Sequence, residues 1–318
     1  MNTKDIKILF FGTSEIAKEI LEALVRGKYN IIAVLTQPDK KTGREQLIKK
    51  GSVKEFAQIN KIPVLQPLKL NDEVVEKIKE LEPDLIVVIA YGKIIPKEIL
   101  EIPQFKSINI HPSLLPKFRG PSPIQNAILA GEKETGVTIM LMDEKMDHGD
   151  ILFQKKVQIY PEDTAKILTK KIAPVSSKLL IETIPLWIEK KIIPLKQDDA
   201  QATYCQLIER EDGHIFWDSS AEDIHNKYRA FQPWPGIFSV WEKEDKILRI
   251  KLTNIKIDEK KTEKKYEMGE VFELDGEIKV KSMNNSIILK EVQLEGKKPT
   301  NIKDFVNGHK DFVGSRLK

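Results

Sequence analysis

The sequence predicts an α/β protein in which a doubly wound, mostly parallel sheet is followed by a small β-barrel or sandwich. Three observations carry that expectation. Apolar, β-favouring runs alternate with helix-period stretches through the first half of the chain, the pattern of repeated strand and helix units. The run from Leu85 to Ala90 is apolar with no polar alternation, as a strand covered by helices on both faces requires. Past Lys191 the texture changes to short strands separated by turns, which suits a small all-β unit.

Taken in order, Ile6 to Phe11 is an apolar strand, and Gly12-Thr13-Ser14 turns the chain into a helix from Glu15 to Arg26. The alternation continues with a strand over 31–35, a helix near 53–60, a short strand over 63–65, a helix over 72–81 and a strand over 84–90. A strand over 107–111 and a helix over 121–130 follow, then two further strands over 136–142 and 150–159. A long helix from about Asp163 to Lys190 closes this part, and Pro174 and Pro185 are expected to kink or interrupt it. The polar stretch from Pro194 to Thr203 reads as linker. Beyond a helix near 221–231, short strands are expected over 237–241, 247–257, 269–273, 277–280 and 287–294. The expected division is therefore residues 1–190, a linker over 191–207, and a second domain over 208–318.

Composition narrows the function. A chain of 318 residues that is 41% hydrophobic and 31% charged has apolar material for two cores, which excludes a disordered polymer. The N-terminal apolar run, Ile8 to Phe11, is too short for a signal-peptide core or a membrane span, so a cytoplasmic protein with no membrane attachment is expected. The single cysteine, Cys205, cannot form an internal disulfide, and no His or Cys cluster has zinc spacing, so no metal is expected. Gly12 stands alone after the first strand and no Gly-x-x-x-x-Gly-Lys occurs, which argues against nicotinamide cofactors and ATP hydrolysis.

A net charge of +4 does not by itself mark a nucleic-acid protein. Its placement is more informative. Residues 38–54 hold Lys40, Lys41, Arg44, Lys49, Lys50 and Lys54 against Asp39 and Glu45, a segment suited to a polyanion, although a charge run is ordinarily a solvated face. Residues 224–318 carry 20 Lys or Arg against 15 Asp or Glu, a modest basic excess.

Ligands of a parallel sheet bind beyond the carboxyl ends of its strands, here just after Ala90 and Ile110. The second of these segments runs Ser107-Ile-Asn-Ile-His-Pro-Ser-Leu-Leu-Pro116. Alternation along a strand puts Ile108 and Ile110 on one face and Asn109 and His111 on the other. One face packs, and the other offers a neutral amide beside an imidazole. Pro112 and Pro116 stiffen the exit into an irregular loop whose backbone groups can hydrogen-bond a flat heterocycle. On spacing alone these residues fit ordinary strand-end polar groups more readily than a catalytic pair.

The stretch Asn-x-His-Pro-Ser-Leu-Leu-Pro resembles the signature of enzymes that use 10-formyltetrahydrofolate as formyl donor. Further stretches resemble the methionyl-tRNA formyltransferase branch of that superfamily: Thr36-Gln-Pro-Asp39, Ala90-Tyr-Gly92, Arg119-Gly120, Gly136-Val-Thr-Ile-Met140 and Arg229-Ala-Phe-Gln-Pro-Trp-Pro235. The resemblance runs nearly end to end. It implies a Rossmann-like formyltransferase domain over 1–190 and an OB-like β-barrel domain over 208–318. It also implies catalysis by Asn109, His111 and Asp147, without metal. Asn109 would donate to an oxyanion, His111 would donate and relay a proton, and Asp147 would orient His111 and favour its protonated form. Folate would be held by Ser113, Leu114, Leu115 and Pro116 together with Tyr91, Gly92 and Ile94. His148 is left as an exposed loop histidine.

The motif itself does not name the formyl acceptor, because glycinamide ribonucleotide and sugar-nucleotide formyltransferases and formyltetrahydrofolate hydrolases share it. A small acceptor needs neither the basic segment after the second strand nor an added β-domain, and this chain has both. The resemblance therefore implies initiator Met-tRNA as partner, contacted by Lys40, Lys41, Arg44, Lys49 and Lys50, and a monomeric enzyme.

Overall fold

The computed structural model describes residues 3–42, 47–244, 246–260 and 265–318. Strand β1 (Lys7–Gly12) leads into α1 (Glu15–Arg26), β2 (Asn30–Leu35), a short antiparallel pair β3 (Lys40–Thr42) and β4 (Leu47–Lys49), α2 (Ser52–Ile59) and β5 (Val64–Leu65). Then come α3 (Asp72–Leu81), β6 (Leu85–Ile89), α4 (Lys97–Leu100), β7 (Ser107–His111), α5 (Pro123–Leu129), β8 (Glu134–Leu141), β9 (Ile151–Gln158) and α6 (Ala165–Ile188). The α/β expectation holds. Seven strands form one sheet in the order β5-β2-β1-β6-β7-β8-β9, parallel through β7 and antiparallel at β8 and β9.

This pairing positions the site. Strands β1, β2, β6 and β7 point the same way, so the segments that follow them leave the same edge of the sheet. Strand β6 is buried along its whole length, because helices cover both faces of a parallel sheet. Leu9, Phe11, Ile86 and Val88 pack there with Val75 and Ile78 of α3.

The expected long helix forms as α6, without an interruption at its prolines, Pro174 and Pro185. Proline deprives the carbonyl four residues earlier of its helical donor. For Pro185 that carbonyl belongs to Ile181, and the hydroxyl of Tyr29 donates to it at 3.3 Å.

By its contacts the chain forms two compact units, Met1–Ile124 with Lys133–Ile159 and Ile167–Leu207, and Gln125–Glu132 with Tyr160–Lys166 and Ile208–Lys318. Residues 191–207, read as linker, lie within the first unit. Leu195 exchanges backbone hydrogen bonds with Ile151, and Arg119 N–H donates to the Thr203 carbonyl. Gln197 and Cys205 of this stretch are buried, while most of its other residues face solvent.

The second unit continues with α7 (Ala221–Ala230), β10 (Ile237–Lys243), β11 (Lys246–Ile257), β12 (Val271–Leu274), β13 (Glu277–Lys281), β14 (Ser286–Leu294), β15 (Thr300–Asn301) and α8 (Ile302–Gly308). Its six strands are antiparallel in the order β10-β11-β14-β13-β12, with β15 beside β14. The two edge strands are joined by residues the sequence left unassigned. Lys318 exchanges hydrogen bonds with Val240 of β10, while Gly314 and Ser315 bond Val271 of β12. These bonds cover part of both edges of the curled, half-barrel sheet.

Candidate active site

Strand β7 is central in its sheet, between β6 and β8, and its pleat sorts its residues as alternation requires. Ile108 and Ile110 are buried in the core. Asn109 and His111 turn the other way, and Asp147 meets both. The Asn109 Nδ2 donates to Asp147 Oδ1 at 3.2 Å, and His111 Nδ1 lies 3.6 Å from Oδ2. The backbone N–H of Gly120 donates to the same Oδ2 at 2.8 Å. The geometry thus brings together Asn109, His111 and Asp147 of this chain.

His111 is buried, and its Nε2 stands 2.9 Å from the Phe118 carbonyl. A carbonyl can only accept, so Nε2 carries a hydrogen. Nδ1 is then left facing the carboxylate.

The loop after β7 is built around Thr138 of β8. The Thr138 hydroxyl donates to the Ser113 carbonyl at 2.7 Å and accepts from Leu115 N–H at 3.2 Å. Gln154 Nε2 donates to both Leu115 O and Thr138 Oγ1. Ser113 is fully buried, its hydroxyl donating to the Lys117 carbonyl, and Leu115 packs against Met140 and Ile151. Leu114 and Pro116 remain half-exposed.

Beyond β6, Tyr91 turns its ring into the core against Phe11, at 5.1 Å between centroids. Its hydroxyl has no partner, and burial pushes its pKa up to about 12. Only the Tyr91 backbone faces the strand edge, where its carbonyl accepts from Thr13 Oγ1 and Gln37 Nε2. Gly92 and Ile94 are exposed.

A second polar layer lies behind the triad, and most of it escaped sequence reasoning. Arg119 is buried and spends its guanidinium on Gln197 Oε1 at 3.0 Å, Tyr204 Oη at 3.2 Å and Asp199 Oδ1 at 2.8 Å. Burial opposes its charge, yet Asp199 and Tyr204 outweigh that and hold its pKa above the ordinary value. The same guanidinium keeps the Asp199 carboxyl below its usual range. His148 is bound rather than free, with Nδ1 at 2.6 Å from Asp143 and Nε2 at 3.5 Å from Asp199. Nothing in the spacing of residues 194–203 signals these roles; only Arg119 stood in a recognisable stretch.

The basic segment leaves β2 on the edge that carries His111. The backbone pairs Lys40 with Lys49 and Lys41 with Ile48, and Arg44 lies outside the described residues. Lys50 is exposed, its Nζ 3.4 Å from Gln58 Oε1. Lys54 is committed elsewhere, to Asp39 at 2.6 Å. That bond, then one from Gln66, holds the Asp39 carboxyl below its usual range.

Among the described residues no cluster of three or more His, Cys, Asp or Glu could hold a metal ion. Among them, too, no helix is long and apolar enough to cross a membrane.

A sheet with its polar cluster at the carboxyl end of a central strand, followed by a small barrel, is the plan of a formyl transferase. The Formyl transferase family model matches residues 5–184, and that of the Formyl transferase C-terminal domain matches residues 207–310. Relatives of 38–44% identity over 98% of the chain place it in the methionyl-tRNA formyltransferase family. It is 44% identical to the methionyl-tRNA formyltransferase of Caldicellulosiruptor saccharolyticus, over 98% of this chain and 99% of that one. It is 41% identical to that of Caldanaerobacter subterraneus subsp. tengcongensis, over 98% of this chain and 100% of the other. Among solved structures, WlaRD, a sugar 3N-formyl transferase, superposes with a TM-score of 0.66 at 23% identity, covering 92% of this chain and 99% of that one. That likeness concerns the fold alone.

Proposed function

We propose that this enzyme transfers the formyl group of 10-formyltetrahydrofolate to the α-amino group of methionine on initiator Met-tRNA. The observation that carries the reading is the convergence of Asn109, His111 and Asp147 at the end of β7. The reaction forms a bond between the methionine nitrogen and the formyl carbon and breaks the bond from that carbon to the folate nitrogen. A tetrahedral oxyanion must be stabilised, the amine must lose a proton, and the departing nitrogen must gain one. Asn109 spends one amide hydrogen on Asp147 and keeps the other for the oxyanion, as a neutral donor at any working pH. Asp147 accepts the amine proton, directly or through water, with His111 Nδ1 beside it, and the same proton is delivered to the departing folate nitrogen as its bond to the formyl carbon breaks.

Folate is assigned to the half-exposed Leu114 and Pro116, to Gly92 and Ile94, and to the backbone groups of Tyr91, Ser113 and Leu115. The Met-tRNA end is assigned to Lys40, Lys41, Arg44, Lys49 and Lys50. That segment opens on the edge that carries His111, which supports the assignment. The test is the formation of N-formylmethionyl-tRNA with 10-formyltetrahydrofolate as donor. Asn109→Ala should lower turnover about 10²–10³-fold, the effect of losing an oxyanion donor, with little change in folate binding. Near-normal turnover in the folded variant would overturn the assignment.

A further inference from the structure

Asp147 sits in a backbone conformation that needs outside support, with φ at +49°. Left-handed geometry is unfavourable for a non-glycine residue, though less so for aspartate than for most. Two residues on, a Cβ at Gly149 would collide with the Leu141 carbonyl. The turn over 147–149 is therefore tight and bears directly on where the Asp147 carboxylate points.

One side chain grips this turn from behind. Gln197 is buried, and its Nε2 donates to the Asp147 carbonyl at 2.9 Å and to the Gly149 carbonyl at 2.7 Å. An amide nitrogen has two hydrogens, and both are spent. Its Oε1 accepts from Arg119 Nε at 3.0 Å, so the amide cannot flip without facing Nε2 toward a donor. Arg119 is itself held by Asp199 and Tyr204, and the next residue, Gly120, sends its N–H to the Asp147 carboxylate. A Cβ at Gly120 would strike the Cys205 carbonyl, so that N–H is aimed by the same packing. Carbonyl and carboxylate of Asp147 are thus clamped through one buried guanidinium-centred assembly.

We infer that Gln197 is a positioning residue for formyl transfer, acting only through Asp147 by fixing the turn that aims its carboxylate. This rests on the reading of Asp147 given above. Gln197→Glu is the informative change, because it keeps the shape and the Arg119 contact and removes both donors to the turn. It should lower kcat about 10–100-fold, as a displacement near 1 Å at a reacting group does. The KM values for Met-tRNA and folate should stay within about threefold, since neither binding surface is touched. The decisive readout is a double-mutant cycle. If Gln197 acts through Asp147, Gln197→Glu should cost almost nothing further in an Asp147→Asn background.

Gln197→Met is measured alongside, as an uncharged variant of similar size, with the thermal midpoint recorded for each. Wild-type kcat in the folded variants would overturn the inference, as would additive losses in the cycle. Loss of the folding transition in both Gln197 variants would overturn it too, by making the residue a support of the fold. A fully active Asp147→Asn enzyme would instead remove the role of Asp147 on which the inference rests.

Discussion

Asp147 accepts from Asn109 and Gly120 through different carboxylate oxygens, so replacing either oxygen by an amide nitrogen puts donor against donor. Asp147→Asn should therefore cut turnover by about 10²-fold or more, in the range of lost acid–base catalysis. Asp143→Asn should be milder, because Asp143 bonds His148 and the Lys145 N–H rather than the triad. Single-turnover formylation of both variants at matched stability checks the order; a silent Asp147→Asn with a dead Asp143→Asn would exchange their roles. Asn109 and His111 were legible as a pair because strand alternation alone puts them on one face. Asp147 was legible only through resemblance, since it lies 38 residues from Asn109 in sequence. Gln197 was not legible at all. Its partners are two loop carbonyls and a buried arginine, and such contacts leave no spacing in a polar stretch. Tyr91 was half legible: the position stands at the strand edge, but the ring belongs to the core.

Among the elements, α3 was found to the residue, because Asn71 caps it by accepting from Val74 N–H and its apolar period is regular. The length of α6 was legible, but its continuity at Pro185 was not, because the carbonyl that this proline frees, on Ile181, is satisfied by Tyr29 from outside the helix. Tyr29→Phe removes the donor to the Ile181 carbonyl and should destabilise the protein by about 1 kcal/mol, read as a lower midpoint in denaturant. Helix α7 carries a pH dependence. Half-buried His225 has its pKa lowered by burial and by Arg229, with Tyr228 beside it. The folded form then binds fewer protons than the unfolded chain, so stability falls as pH drops through the ordinary histidine pKa near 6.5. His225→Gln should flatten the stability profile between about pH 7 and 5 relative to wild type; an unchanged profile would assign the slope to other groups. For the β3–β4 pair, Lys41→Ala, Arg44→Ala and Lys49→Ala combined should raise the KM for Met-tRNA. The logarithmic salt slope of RNA binding should drop by about two to three units. Lys54 is left intact in that variant because it holds Asp39.

On the scale of the whole molecule, the change from a mostly parallel sheet to a small antiparallel barrel was legible from the shift between long apolar runs and short strands. The bonding of residues 314–318 to the edges of the antiparallel sheet was not, because the segment is too short and polar to signal a strand. It nevertheless bonds both β10 and the start of β12, and Leu317 is buried. The formyl acceptor is what separates this enzyme from others built on the same catalytic domain. Purified enzyme supplied with 10-formyltetrahydrofolate should be offered Met-tRNA, an amino-sugar nucleotide, glycinamide ribonucleotide, or water alone, and formyl transfer to each should be timed. Rapid formation of N-formylmethionyl-tRNA is expected, with at most slow hydrolysis in the other three. Faster transfer to the sugar nucleotide or the ribonucleotide than to Met-tRNA, or hydrolysis that Met-tRNA does not divert, would contradict Met-tRNA as the acceptor.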